Sequence, residues 1–246
     1  MQSIIQFLFL VLIFTSCGTP STDQQSEDTS TDVESKSPQE TIPLAETVFS
    51  SETVRPCNMA ISTSGRMFIT INPLTSPDTK VYEINEQDGS FRPYPNETYS
   101  VGETSTIQAI IGIKTDSKDQ LWLLDMGKNQ FIVWDTKAEQ LVKTIPIPDQ
   151  VLTPASFLQD FVIDEKHERV IIADMTQGDL QSAPVPAFIV VDQKTGLASR
   201  LAQGHPSLLP EMDGGFGLNP IAIDPNNEWI YFGALHGRTI YRASAS

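Results

Sequence analysis

Two cysteines in 246 residues, Cys17 and Cys57, leave little scope for a disulfide framework. Basic side chains are scarce as well. Against 31 Asp and Glu stand 16 Lys and Arg, a net charge of −15 with His neutral. That balance repels phosphate backbones and anionic headgroups, so no nucleic-acid partner is expected. Histidine occurs only as His167, His205 and His236, and none has the spacing of a zinc site or of a Ser/His/Asp triad. Beyond the N-terminus no apolar run approaches the ~20 residues of a spanning helix.

The N-terminus is the apolar exception. Residues Ile4 to Phe14 are almost continuously hydrophobic, too short to span a bilayer but suited to the h-region of an export signal. Thr15-Ser16-Cys17-Gly18 follows and resembles the lipobox of bacterial lipoproteins, although Phe14 stands where Leu is usual and no Lys or Arg precedes the run. The expectation is a lipoprotein signal peptide over 1–17, with Cys17 lipidated. An ordinary cleaved signal and a buried N-terminal helix are the alternatives. Residues 18–46 are rich in Ser, Thr, Gln, Pro and acidic residues, with Lys36 the one base. Such a segment buries too little apolar surface to offset its ordering entropy, so a disordered acidic linker is expected. The implied location is exported, in the cell envelope, with membrane contact through the lipid alone. If Cys17 carries lipid, Cys57 has no partner in the chain.

From residue 47 onward one pattern occurs four times: 58–70 (NMAISTSGRMFIT), 112–125 (GIKTDSKDQLWLLD), 160–174 (DFVIDEKHERVIIAD) and 220–234 (PIAIDPNNEWIYFGA). Each is an apolar strand, a polar turn and a second apolar strand. Aligned on Ser62, Asp116, Asp164 and Asp224, the columns match. Met59, Ile113, Phe161 and Ile221 share one position; Phe68, Trp122, Ile171 and Tyr231 share another. A third strand follows each pair (from Val81, Phe131, Phe188 and Thr239), and the second and third units continue into a fourth near Leu141 and Leu197. Four-stranded antiparallel units at intervals of roughly 50 residues predict an all-β fold, a β-propeller of four-stranded blades, over 47–246. A β-sandwich would not explain the repeated columns. The fourth unit stops after its third strand. Either a strand near Thr47–Ser51 completes a four-bladed ring, or the domain is part of a larger one.

Residues 131–176, 188–196 and 216–242, with the motifs LWLLD-MG, FLQD, IADM and GRTIYR, resemble the Yellow/major royal jelly protein family, nearest its bacterial, dopachrome-tautomerase-related branch. The likeness runs from about Val54 to Arg242. It implies a six-bladed propeller, secretion, and a C-terminally truncated chain holding about four blades.

In a propeller the start of each innermost strand faces the channel mouth. These positions are Cys57/Asn58, Ile111/Gly112, Gln159/Asp160 and Asn219/Pro220. Of these, Asp160, Asn219, Gln159 and Asn58 are candidate contacts for a small-molecule ligand. The same residue types also satisfy backbone groups and water. Asp125 and Asp174, matched after the second strands, either line a pocket for an amine, with Trp122 and Trp134 as candidate aromatics, or bond to turn backbone. His236 and Arg238 are candidates at the mouth; His167 reads as solvated. Asn96-Glu97-Thr98 is read as a chance match to a glycosylation pattern. No cofactor is expected. Similarity to the gluconolactonase propellers would put a divalent metal near Asn219 and Gln159, but the first blade offers no Glu for it. Three functions remain open: a ligand-binding propeller, an enzyme (a dopachrome-tautomerase-like isomerase or a metal-dependent lactonase, both implied by resemblance), and an inactive fragment or interaction scaffold.

Overall fold

The computed structural model describes residues 45–246. The expected signal peptide, Cys17 and the linker up to residue 44 lie outside the described residues.

Fifteen strands in chain order make four antiparallel sheets among the described residues. Blade 1 is β1 (Pro56–Ile61), β2 (Met67–Ile71), β3 (Val81–Ile84) and β4 (Phe91–Pro93). Blade 2 is β5 (Ile110–Thr115), β6 (Gln120–Asp125), β7 (Gln130–Asp135) and β8 (Gln140–Pro146). Blade 3 is β9 (Leu158–Asp164), β10 (Arg169–Asp174), β11 (Ala187–Asp192) and β12 (Ala198–Leu201). Blade 4 is β13 (Leu218–Ile223), β14 (Trp229–Ala234) and β15 (Tyr241–Ser244). Innermost strands neighbour in order, β1 on β5, β5 on β9 and β9 on β13, so the architecture is the expected β-propeller. The sequence reading missed β4, whose run of Phe91-Arg92-Pro93 is too short to show alternation.

The second strands of blades 2 and 3 are apolar on both faces because each serves two interfaces. Leu121 and Leu123 of β6 pack toward blade 1 with Phe68, while Trp122 and Leu124 pack toward blade 3 with Phe161. In β10, Val170 and Ile172 join the blade 2 side and Ile171 and Ala173 the blade 4 side. Trp122 and Trp134, proposed as ligand aromatics, are buried in these blade interfaces. The three interfaces form the core.

The arc is open among the described residues. Met59 and Ile61 of β1 are exposed, while their counterparts on β5, Ile113 and Thr115, are buried and half-buried. Residues 47–51 form no strand, so they do not complete blade 4. Instead Phe49 and Val54 cover Met67, Ile69, Ile71 and Ile84 on the outer face of blade 1.

The repeat anchors are turn staples. Asp116 Oδ1 accepts from the N–H groups of Lys118 and Gln120, and Oδ2 from Trp122 Nε1. Asp224 accepts from the N–H groups of Asn226, Glu228 and Trp229, and Ser62 Oγ from Arg66 N. His167 is not simply solvated: its Nδ1 lies 2.8 Å from Asp164 Oδ2, beside Arg169 Nε at the same distance. A carboxylate two to five residues ahead of several N–H groups closes such a turn without help from the rest of the fold.

These turns are also tied blade to blade. Thr63 N donates to Asp119 Oδ1 (2.6 Å), Ser117 N to Glu165 Oε1 (2.9 Å) and Glu165 N to Asn227 Oδ1 (3.1 Å). Lys137 Nζ lies 2.8 Å from Asp119 Oδ2. The Lys137 hydrogen bond, then that of Thr63, hold the Asp119 carboxyl well below the usual carboxylate range. Asn96 caps the short helix α1 (Glu97–Ser100), accepting from Tyr99 N; the sequence reading did not foresee this helix.

Candidate site at the channel mouth

Each innermost strand carries a register shift at the same point, immediately before the Met59/Ile113/Phe161/Ile221 column. On β1 it falls between Pro56 and Asn58, and on β5 between Ile110 and Ile113. On β9 Leu158 and Asp160 pair with consecutive residues of β10, leaving Gln159 over. On β13 Asn219 and Pro220 stand where β14 offers one residue, Gly233. A bulge turns side chains out of the ladder and is a common device beside active sites. All four bulges coincide with the pairs expected at the mouth.

The strands approach closely here. A Cβ on Gly112 would lie 3.0 Å from the Phe161 ring and 3.4 Å from the Asp160 Cα. Lys114 of β5 reaches across to β9, its Nζ 3.0 Å from Asp160 Oδ2. Asp160 Oδ1 is buried with no hydrogen-bond partner. Burial pushes the Asp160 carboxyl up, and Lys114 offsets part of that rise. The side chains of Gln159 and Asn219 are half-buried and bond to no other described residue, while Asn58 Oδ1 accepts from Met59 N at 2.8 Å. Beside them lies an apolar cluster drawn from successive blades: Ile111 and Met126, Phe157 and Met175, and Phe216 before blade 4.

Asp125 and Asp174 lie at this end but are fully buried, their carboxylates engaged by neighbouring loops and side chains. Asp125 accepts from the N–H groups of Gln108, Ala109 and Gly127, clamping the loop that enters β5 onto the end of β6. Asp174 accepts from Phe157 N (2.8 Å), Thr176 N (3.1 Å), Ser156 Oγ (2.7 Å) and Arg200 Nη1 (2.6 Å). His236 Nδ1 accepts from Phe216 N, so its ring proton sits on Nε2, and the ring stacks on Phe216 at 5.5 Å. Arg238 N donates to Glu211 Oε2, and the Arg238 side chain is exposed.

Two residues of this region escaped the sequence reading. Lys114 had a signal: it is the sole basic residue in the four innermost strands. Gln177 had none. It is buried, its Nε2 donates to Gly215 O, and its Oε1 has no partner. Thr176 and Gln177 both take positive φ (58° and 59°), a conformation costly for side-chain-bearing residues and frequent near functional sites.

The donor set does not fit a divalent metal. Such ions take several oxygens with carboxylates among them, and the carboxylate here, Asp160, faces the Lys114 ammonium. Among the described residues no three of His, Cys, Asp and Glu converge as a metal cluster.

A family model described as "Major royal jelly protein" matches residues 108–246, more than half of the chain. No curated protein matches. Among solved structures, YCF48 bound to D1 peptide aligns at 12% identity with a TM-score of 0.52, over 82% of this chain and 54% of that one. Virginiamycin B lyase from Staphylococcus aureus gives 15% and 0.45, over 76% and 51%. The extracellular domain of the one-component system BT4673 from B. thetaiotaomicron gives 11% and 0.47, over 76% and 20%. At 12% identity the likeness to the YCF48 structure concerns fold alone. The chain spans about half, or less, of the length of these structures.

Proposed function

The chain belongs to the major royal jelly protein family, and on that footing we propose that it binds a small molecule at the channel mouth. The carrying observation is that three of the four bulges fall on the polar positions Asn58, Gln159/Asp160 and Asn219. Two of these side chains, Gln159 and Asn219, spend no hydrogen bond on the fold. The Lys114–Asp160 pair supplies both signs of charge, and the Ile111/Phe157/Met175 cluster supplies an apolar wall. This is the composition of a ligand site: mostly apolar lining with a few convergent polar groups. Asp125 and Asp174 serve the site by fixing the loops that enter β5 and β9. We place the protein in the cell envelope, exported and held by lipid on Cys17, with the acidic segment as a spacer.

The test is a thermal-shift screen of small aromatic, amine and lactone compounds. A hit should raise the Tm of the wild type by several degrees and that of Asp160→Asn or Asn219→Ala by little. Equal shifts in all three proteins would remove the mouth as the site. Turnover of a bound compound would make the protein an enzyme.

A further inference from the structure

Three buried side-chain atoms lack a hydrogen-bond partner among the described residues: Asp119 Oδ2, Asp160 Oδ1 and Gln177 Oε1. The first has the Lys137 ammonium 2.8 Å away. The other two lie at the channel mouth, and both are acceptors. A buried acceptor without a donor is costly, so a ligand that brings protons to these atoms is favoured over one that does not.

The fold fixes Gln177 from both sides. It is 3% exposed and takes a φ of 59°. Before it, Thr176 Oγ1 donates to Met175 O and accepts from Val185 N; after it, Gly178 N donates to Ala155 O. Gln177 Nε2 donates to Gly215 O at 3.4 Å, which orients the amide, since the reverse setting would bring two oxygens together. Gln177 thus stands between Met175 and Phe216, two members of the apolar cluster, with Oε1 as its free end. Asp160 belongs to the same blade. It pairs with Ala173, four residues before Gln177, and four residues of chain extend at most ~14 Å.

The charges decide between ligand classes. Lys114 Nζ lies 3.0 Å from Asp160 Oδ2, so the two charges offset each other. Asp125 and Asp174, the carboxylates expected for an amine, are taken by backbone N–H groups and, for Asp174, by Arg200. An ammonium ligand would meet Lys114, and an anion would meet Asp160. The uncommitted groups are carboxamides: Gln159 and Asn219 beside Gln177. A carboxamide offers donor and acceptor side by side, which matches hydroxyl groups acting in both roles.

Resting on the reading of the mouth as a ligand site, we propose that its ligand is a neutral polyhydroxylated molecule of the sugar or cyclitol class, whose hydroxyls donate to Gln177 Oε1 and Asp160 Oδ1. Its C–H face rests on Ile111, Met175 and Phe216.

The probes are the methyl glycosides of glucose, galactose and mannose, each in 6-hydroxyl, 6-amino and 6-carboxylate form, titrated against the full chain at pH 7 by ligand-observed NMR. A 6-hydroxyl glycoside should bind about tenfold more tightly than its charged counterparts, and Gln177→Met should weaken it about tenfold, the loss of one buried hydrogen bond. Lys114→Met should move the preference to the 6-amino form, and Asp160→Asn to the 6-carboxylate form. A purely structural Gln177–Asp160 arrangement would leave these preferences where they are. The proposal is overturned if no glycoside binds, if the wild type prefers a charged form, or if binding ignores Gln177→Met. A thermal-shift hit that depends on Asp160 and Asn219 while no glycoside binds would keep the mouth as the site and remove only this ligand class.

Discussion

Asp174→Ala separates two roles for a buried carboxylate. The side chain is fully buried and accepts four hydrogen bonds, from Phe157 N, Thr176 N, Ser156 Oγ and the largely buried Arg200. Truncation leaves two N–H groups without an acceptor, at about 1–3 kcal/mol for each buried unpaired group. It also strands a guanidinium, a loss of about 3–5 kcal/mol for a broken buried pair. These overlap because the neighbourhood relaxes, and the expected total is about 4 kcal/mol. Asp125→Ala, at the matched position, removes three backbone acceptor bonds but no cation, and should cost about 3 kcal/mol, the low end for three partly buried groups. Urea denaturation of both variants and of Asp174→Ala with Arg200→Met measures the order. The double variant should recover about 1–2 kcal/mol, because it no longer buries an unpaired charge. An Asp174→Ala cost below about 1 kcal/mol, with loss of ligand binding, would refute the staple role and make the carboxylate a ligand group.

Acid should loosen the ties between turns. The folded-state carboxyl of Asp119 lies below its unfolded value of about 3.9, so its contribution is full above that pH and fades as pH falls below it; in Asp119→Asn, the drop in urea midpoint between pH 5 and 2.5 should be smaller. Lys114→Met leaves Asp160 without its cation, so its stability cost should grow from pH 4.5 to 7.5 as that carboxyl is forced to ionise; a pH-independent cost would contradict the pair. Gly112→Ala sets a methyl 3.0 Å from the Phe161 ring and should cost about 1–3 kcal/mol in a thermal melt. Metabolic labelling with radioactive palmitate should mark the wild type and not Cys17→Ser.

The propeller was legible because its constraints are local and repeated. An Asp that closes a turn on its own N–H groups, as Asp116 and Asp224 do, needs no tertiary help and recurs in register. A strand buried on both faces, such as β6, shows as an unbroken apolar run. The positions of the bulges were legible for the same reason, since they fall at a fixed offset from the turn. What stayed hidden depends on partners distant in sequence. Bonding to backbone was one of the two roles read for Asp125 and Asp174, but the loops they clamp and the Asp174 pairing with Arg200 across two strands were not visible. Trp122 reads equally well as a ligand aromatic or core and Trp134 as a ligand aromatic, and only the packing of neighbouring blades decides for core in both. Gln177 owes its position to two left-handed residues that no local composition announces.

The most direct test of the mouth as the binding site is hydrogen exchange by mass spectrometry on the full chain, with and without a compound that raises its Tm. The account predicts slowed exchange in the four peptides spanning the bulges, around Asn58, Gly112, Gln159 and Asn219, with the opposite turn end unchanged. Protection confined to the turns around Ser62, Asp116, Asp164 and Asp224 would contradict it.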